Sequence, residues 1–441
     1  MSDKSSGKLK GLKRRAIPRS LTASLAGLRA GGALAVDGAW QGLMGRDDSS
    51  DFARKEARRL VKKLGKLKGT YVKIGQMMAM FGEHFLPPVL TEAMHELGSN
   101  TKPFPWSEIA PSLQQSLGVR LQELDIDETA IAAASLAQVH RARIIETGEE
   151  ICLKVQYPGL AEVIDQDFDH VVGMLKLARW VKSGRDLDSW LESMREYLHN
   201  EIDYQREASF CRAMNAHLDN LGDAGAMYHA PKVIDRYSRA QVLALEYVPG
   251  KMVNAPEIGK LSKARRNALG RVMLDLFFYE LYDWGMLQSD PNFGNYLLRT
   301  AKRGSGEGDE LVLLDFGSML DCTDDFRFHL QGAIAAGFEE DESALIEALI
   351  GLGCLKPNSD KQAKKLFADF CMHLLEPLRP PESLPASSLN KKGEYRWADS
   401  QLMQRAGKKA AANLASPHFD IPSREFAVIA RKLTGVFTFI S

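Results

Sequence analysis

Leu311-Val312-Leu313-Leu314-Asp315-Phe316-Gly317 is the stretch on which the fold turns. A short apolar run of this kind reads as a buried strand, and this one ends in Asp-Phe-Gly. Working outward, Asn295 stands twenty positions before Asp315, and Asp290 precedes Asn295 by five. The tripeptide alone decides little. At average usage of roughly 5% per residue type it arises by chance in about one chain in twenty of this length. The spacing to Asp290 and Asn295, together with a partner lysine upstream, carries the reading.

A buried strand ending in Asp-Phe-Gly, preceded by Asp-x-x-x-x-Asn, is how protein kinases hold magnesium and the catalytic base. On that pattern Asp315 binds Mg²⁺, Asn295 a second Mg²⁺, and Asp290 sits beside the acceptor oxygen. Phosphoryl transfer depends on positioning and charge neutralisation more than on covalent chemistry. Lys154, inside the apolar run Ile151-Cys152-Leu153-Lys154-Val155, is the natural phosphate anchor. A lysine in such a strand is costly unless paired, and Glu207, on a helix read through Glu201-Ile202-Asp203-Tyr204-Gln205-Arg206-Glu207, is the expected partner. The phosphate loop before it is read at Ala132-Ala133-Ala134-Ser135, where alanine replaces the usual glycines and stiffens the turn. Glu246-Tyr247-Val248 reads as the hinge, with Glu246 and Val248 offering backbone to adenine.

Composition sets the bounds. The 441 residues suffice for two or three domains or one elaborated two-lobed enzyme. With 45% hydrophobic and 26% charged residues the chain can bury a large core. Lysine plus arginine equals aspartate plus glutamate at 57 each, a balance that argues against a dedicated nucleic-acid binder. The five cysteines are scattered and never in C-x-x-C spacing, so they read as reduced thiols of a cytoplasmic protein. No segment has the roughly 18 consecutive apolar residues of a spanning helix. Residues 21–40 come nearest but are interrupted by Arg29 and Asp37.

Along the chain, residues 1–50 read as a basic arm and an Ala/Gly-rich segment, partly disordered, and residues 51–125 as a helical extension. Within that extension, Arg54 to Tyr71 reads as one amphipathic helix with a core-facing stripe and a solvated basic face; binding of that face to an anionic membrane surface is the alternative. Residues 126–250 read as a small strand-rich lobe with a helical insertion, and 251–441 as a larger helical lobe. Gly148-Glu149-Glu150 supplies a hairpin turn, Lys232 to Asp235 and Val242 to Val248 read as strands, and 296–299 with 311–314 as a second hairpin.

With these residues in hand, the chain resembles the UbiB-type atypical kinases, the ubiquinone-biosynthesis kinase-like family. The resemblance rests on Lys73-Ile74-Gly75-Gln76 (the KxGQ motif), the Ala132 to Ser135 loop, Lys154-Val155-Gln156-Tyr157-Pro158, Glu201-Ile202-Asp203 (the ExD motif), Asp290-Pro291-Asn292-Phe293-Gly294-Asn295 and Asp315-Phe316-Gly317. It implies an α+β, two-lobed protein-kinase-like fold with an added N-terminal helical KxGQ domain. It further implies an ATP (or ADP) and Mg²⁺ site in which Lys73, Gln76, Glu201 and Asp203 lie near the nucleotide. The implied activity is that of an atypical kinase or ATPase supporting ubiquinone biosynthesis. Implied partners are ubiquinone-biosynthesis proteins and, peripherally, the inner membrane. Gln288-Ser289 and Asn292-Phe293 depart from the family's more frequent His-Ala and His-Pro, without removing a charged participant. Two alternatives stand beside this reading: a small-molecule phosphotransferase of the antibiotic-kinase type, and a nucleotide-binding scaffold without turnover.

Overall fold

The computed structural model describes residues 50–67, 69–81, 85–95, 97, 102–177, 181, 187–290, 292–301, 308–397, 399–414 and 423–441. The basic arm and Ala/Gly-rich segment, save residue 50, lie outside them. The described residues form two units: one runs to Ser209 and takes in Lys232–Tyr247, the other comprises Phe210–Pro231 and Val248–Ser441.

The first unit opens with helices α1 (Ser50–Leu67), α2 (Thr70–Phe81) and α3 (Pro88–His95). The single amphipathic helix expected through Tyr71 is in fact two. Gly69 adopts a left-handed φ of 60°, open to glycine without the steric penalty a side chain brings, and its carbonyl accepts the N–H of Val72 and Lys73 as α2 begins. Helix α4 (Trp106–Leu117) follows, and α5 (Leu160–Leu177) and α6 (Leu187–Asn200) come after the sheet. Leu60 and Leu64 of α1, Ile74 and Met77 of α2, Leu90 and Met94 of α3, Phe168 and Val171 of α5, and Leu198 of α6 share one core. Each such buried side chain contributes roughly 1.5–3 kcal/mol. Leu97 packs into the same core. It lies so close to α2 that a Cβ at Gly75 would stand 2.3 Å from its Cδ1, which is why the motif helix carries glycine there.

The sheet of this unit is antiparallel, in the order β1 (Leu124–Ala133), β2 (Ala137–Ile144), β3 (Glu150–Gln156), β5 (Val242–Glu246); β4 (Tyr228–His229) belongs to the second unit. The turn at Gly148, with φ 74°, closes β2 onto β3. Strand β1 is a correction to the sequence reading, which took Ala132 and Ala133 as loop. They pair with Val139 and Gln138 instead. The strand lies at the sheet edge with only Leu124 buried, so it lacks the apolar alternation that announces a strand. Lys232 to Asp235 makes only an isolated bridge, Val233 to Leu245.

In the second unit, β6 (Lys251–Met252), β8 (Tyr296–Arg299) and β9 (Glu310–Leu313) form a sheet with β4, in the order β4-β9-β8-β6. A separate antiparallel pair joins β7 (Met286–Gln288) to β10 (Met319–Asp321). Helix α7 (Tyr204–Asn220) begins in the first unit and ends in the second. The second unit's main helices are α8 (Lys263–Phe278), α9 (Asp324–Glu339), α10 (Glu342–Gly351), α11 (Lys361–Leu374), α12 (Leu402–Leu414) and α13 (Arg424–Ile440). Ser423 caps α13 by accepting the N–H of Phe426. Among the described residues no helix is long and apolar enough to cross a membrane.

Candidate active site

Ile151, Leu153 and Val155 turn one face of β3 into the core, and Lys154 lies on the other. Its ammonium donates to both Glu207 carboxylate oxygens, at 2.7 and 2.9 Å. Glu207 is 2% exposed and stands in the first turn of α7, where the helix dipole favours a negative charge. The ammonium also lies 5.4 Å from the Tyr204 ring centroid, a cation–π contact.

Lys73, on α2, donates to Glu201 at 2.5 Å, with both side chains 16% exposed. The ExD residues do not share a helix with Glu207, as the sequence reading had them. They fill the junction between α6 and α7. Asp203 explains the break: its Oδ1 accepts the backbone N–H groups of Gln205 and Arg206, each at 3.0 Å, and so starts a new helix. The Ile202 carbonyl accepts from the Gln156 amide at the end of β3. Gln76 donates to the Leu97 carbonyl at 3.0 Å, which ties it to the packing of α2.

The β1–β2 turn shrinks to Ala134, Ser135 and Leu136. Ala134 donates its N–H to the Ala137 carbonyl at 2.8 Å, and Tyr157 donates its hydroxyl to the Ala134 carbonyl at 2.9 Å. Ser135 is buried. At the other edge, the N–H of Glu246 goes to the Lys232 carbonyl and that of Tyr247 to the Glu150 carbonyl. Val248 is the first residue of the chain's return to the second unit.

Within the second unit, hairpin β8–β9 sets the distance between Asn295 and Asp315. Tyr296 pairs with Leu313, and Leu314 donates its N–H to the Asn295 carbonyl at 3.0 Å, so residues twenty apart in sequence flank one end of the hairpin. The Asn295 amide donates to the Asp290 backbone carbonyl and to Asp290 Oδ2, both at 3.1 Å. Asp315 Oδ1 accepts the Gly317 N–H at 3.0 Å. Gln288, at the departure from the family pattern, binds both stretches. It donates to the Asp315 carbonyl and accepts from the Tyr296 hydroxyl at 2.6 Å.

Two further residues were missed in the sequence, and both come from α13. Arg431 donates to Asp290 Oδ1 at 3.2 Å. Lys432, 1% exposed, donates to the Tyr296 hydroxyl at 2.9 Å and lies 3.2 Å from Glu280 Oε2. Glu280 sits in the π-helical turn Tyr279–Trp284 that ends at Gly285, with φ 62°. Burial opposes the Lys432 charge, but Glu280 and Tyr296 outweigh it and push its pKa above the ordinary lysine value. Burial pushes Glu280 up, with Lys432 opposing. The available signal was a lysine on the apolar stripe of Ile429, Leu433 and Val436, where a charge needs a buried partner.

Asp315 and Asn295 offer a hard oxygen donor set, a carboxylate and an amide carbonyl. Magnesium takes one or two such ligands and completes its shell with water and substrate phosphates. The residues therefore fit Mg²⁺. The five cysteines are free thiols, four of them buried.

A sequence model of the ABC1 atypical kinase-like domain matches residues 96–349. The chain belongs to that family. It is an atypical kinase-like family, as the motif resemblance implied. The probable serine/threonine-protein kinase abkA of Dictyostelium discoideum is 28% identical over 88% of this chain and 68% of its own length. The mitochondrial atypical kinase coq-8 of Caenorhabditis elegans is 28% identical over 86% of this chain and 48% of its own. The mitochondrial atypical kinase COQ8B of Danio rerio is 30% identical over 68% of this chain and 46% of its own. The chain thus spans about half to two thirds of these relatives. Among solved structures, Mycobacterium tuberculosis Rv3197, determined as its erythromycin complex, superposes with a TM-score of 0.57 at 21% identity, covering 89% of this chain and 93% of that one. The fold is the α+β kinase-like fold of this ABC1 family.

Proposed function

We propose that this ABC1-family chain binds Mg-ATP and transfers its terminal phosphoryl group, in support of ubiquinone biosynthesis. The observation that supports the reading is the Asp290–Asn295–Leu314 bonding, which brings Asp290, Asn295 and the residue before Asp315 to one hairpin end. Asp290 receives the proton of the acceptor hydroxyl, and Asn295 and Asp315 would hold magnesium. Magnesium held there would supply charge neutralisation of the phosphates. Lys154, oriented by Glu207, anchors the α/β-phosphates. Lys73, held by Glu201, restrains access, and Ala134 with Ser135 shapes the phosphate turn. The ubiquinone assignment follows the relatives named COQ8 and the motif resemblance. The basic face of α1, with Arg54, Lys55, Arg58, Arg59 and Lys62, suits contact with an anionic membrane. A cationic acceptor of the antibiotic-kinase type is disfavoured by Arg431 beside Asp290.

The test is phosphate release from Mg-ATP by the full chain, with and without anionic liposomes, with Asp315→Asn as control. Release that needs Asp315 and rises with lipid supports the proposal. Release unaffected by Asp315→Asn removes the metal assignment. Nucleotide that raises the melting temperature without any release favours the scaffold.

A further inference from the structure

The segment from Asp290 to Asn295 contains no lysine or arginine. Yet phosphoryl transfer spreads negative charge over the oxygens of the transferring group, and a cation placed beside them lowers the barrier. The described structure brings one from 141 positions away in sequence: the Arg431 guanidinium, 3.2 Å from Asp290 Oδ1. With the Asn295 amide on Oδ2, each oxygen of the Asp290 carboxylate has a donor. A guanidinium carries five N–H donors in a planar fork, enough to serve more than one anionic group. Both side chains keep partial exposure, 32% for Arg431 and 27% for Asp290, as groups that meet a substrate must.

What makes this placement more than a surface ion pair is the anchoring of α13. Lys432, the next residue, is locked into the buried Glu280 and Tyr296 pair, and Tyr296 continues through Gln288 to the Asp315 carbonyl. Ile429, Leu433, Val436 and Phe437 bury the same helix. The helix cannot turn or slide to withdraw Arg431 without exposing that pair, so the guanidinium is preorganised rather than swung in.

We propose that Arg431 is a catalytic arginine supplied in cis by α13, which binds the transferring phosphoryl group beside Asp290. The inference rests on the phosphotransferase reading above. In the step, the bond from the acceptor oxygen to the γ-phosphorus forms as the bond from the γ-phosphorus to the bridging oxygen breaks. ADP leaves with that electron pair, the acceptor proton passes to Asp290, and Arg431 donates to the phosphoryl oxygens as charge spreads over them.

The experiment compares the full-length parent with Arg431→Gln and Arg431→Lys, measuring the apo melting temperature, the affinity for Mg-ADP, and the affinity for Mg-ADP with aluminium fluoride, a mimic of the transferring group. Phosphate release is read alongside. For Arg431→Gln the expected result is an unchanged melting temperature and Mg-ADP affinity. Binding of the aluminium fluoride complex and kcat should both fall, by about 100-fold or more. Arg431→Lys, which keeps the charge without the fork, should recover part of both. Equal binding of the aluminium fluoride complex by Arg431→Gln and the parent would overturn the inference while leaving the phosphotransferase reading intact. So would faster release from Arg431→Gln, which would make the contact inhibitory, or a parallel loss of Mg-ADP affinity and thermal stability, which would make it structural. A parent that binds no Mg-ADP would overturn both readings.

Discussion

Lys154 holds both carboxylate oxygens of Glu207, and the carboxylate is the more deeply buried partner of the two. Glu207→Gln removes the charge that orients the ammonium and leaves a lysine facing a neutral amide. The expected outcome is a loss of about 1–3 kcal/mol of stability, because Lys154 keeps some water access. Phosphate release should drop tenfold or more. Wild-type turnover in this variant would take the pair out of the chemistry.

The Lys73–Glu201 pair has a different consequence. If Lys73 restrains the site, Lys73→Ala relaxes it, and incorporation of radiolabelled phosphate into the protein itself should increase. Label incorporation equal to that of the parent would exclude Lys73 from any role there.

Gly75→Ala should destabilise the first unit by about 1–3 kcal/mol, because the new methyl must displace Leu97. Adding Leu97→Ala makes room and should return part of that loss. Two losses that simply add in urea melts would show that the two residues do not meet.

Lys432→Met leaves Glu280 buried without its cation, at an expected cost of about 3–5 kcal/mol, whereas combining it with Glu280→Leu should recover much of that stability. The pH dependence follows from the raised Lys432 pKa. Its stabilisation is fully present below the ordinary lysine value of 10.5 and is lost as pH rises through the folded value. The parent should therefore lose its advantage over Lys432→Met in strongly alkaline urea titrations. A constant difference across that range would contradict the assignment.

On the acid side the relevant group is Glu376, which accepts from both terminal nitrogens of Arg405 at 2.7 Å and from Tyr395 at 2.8 Å. Burial works against its charge, but these bonds outweigh it and hold the carboxyl below the ordinary 4.5. A depressed carboxylate stabilises above that value and stops doing so as pH falls through its folded pKa. Arg405→Met should accordingly show its largest melting-temperature deficit near neutrality, with the deficit shrinking below pH 4.5. A deficit that grows in acid would reverse the sign and sink the argument.

What could be read in the chain depended on how local each cause was. Asp290, Asn295 and Asp315 announced themselves because a hairpin fixes their spacing, and Lys154 because a strand lysine demands a partner. The edge strand β1 stayed hidden, since Asp125, Asp127 and Glu128 give it no apolar alternation. The helix break at Glu201 to Asp203 was missed because an aspartate in a helical pattern does not declare whether it caps or continues. Arg431 was beyond reach for another reason. Its partner is far away in sequence, and only the packing of α13 brings the two together.

That separation also has a meaning in time. The 141 positions between Asp290 and Arg431, made at roughly 5–20 residues per second, occupy the ribosome for about seven to thirty seconds. For most of that interval the nascent chain already carries Asn295 and Asp315, but neither the guanidinium nor the lysine of α13 exists. Glu280 must wait in water for its cation. The second unit therefore cannot mature stepwise behind the ribosome. Its polar centre closes only when residues 431 and 432 have been synthesised.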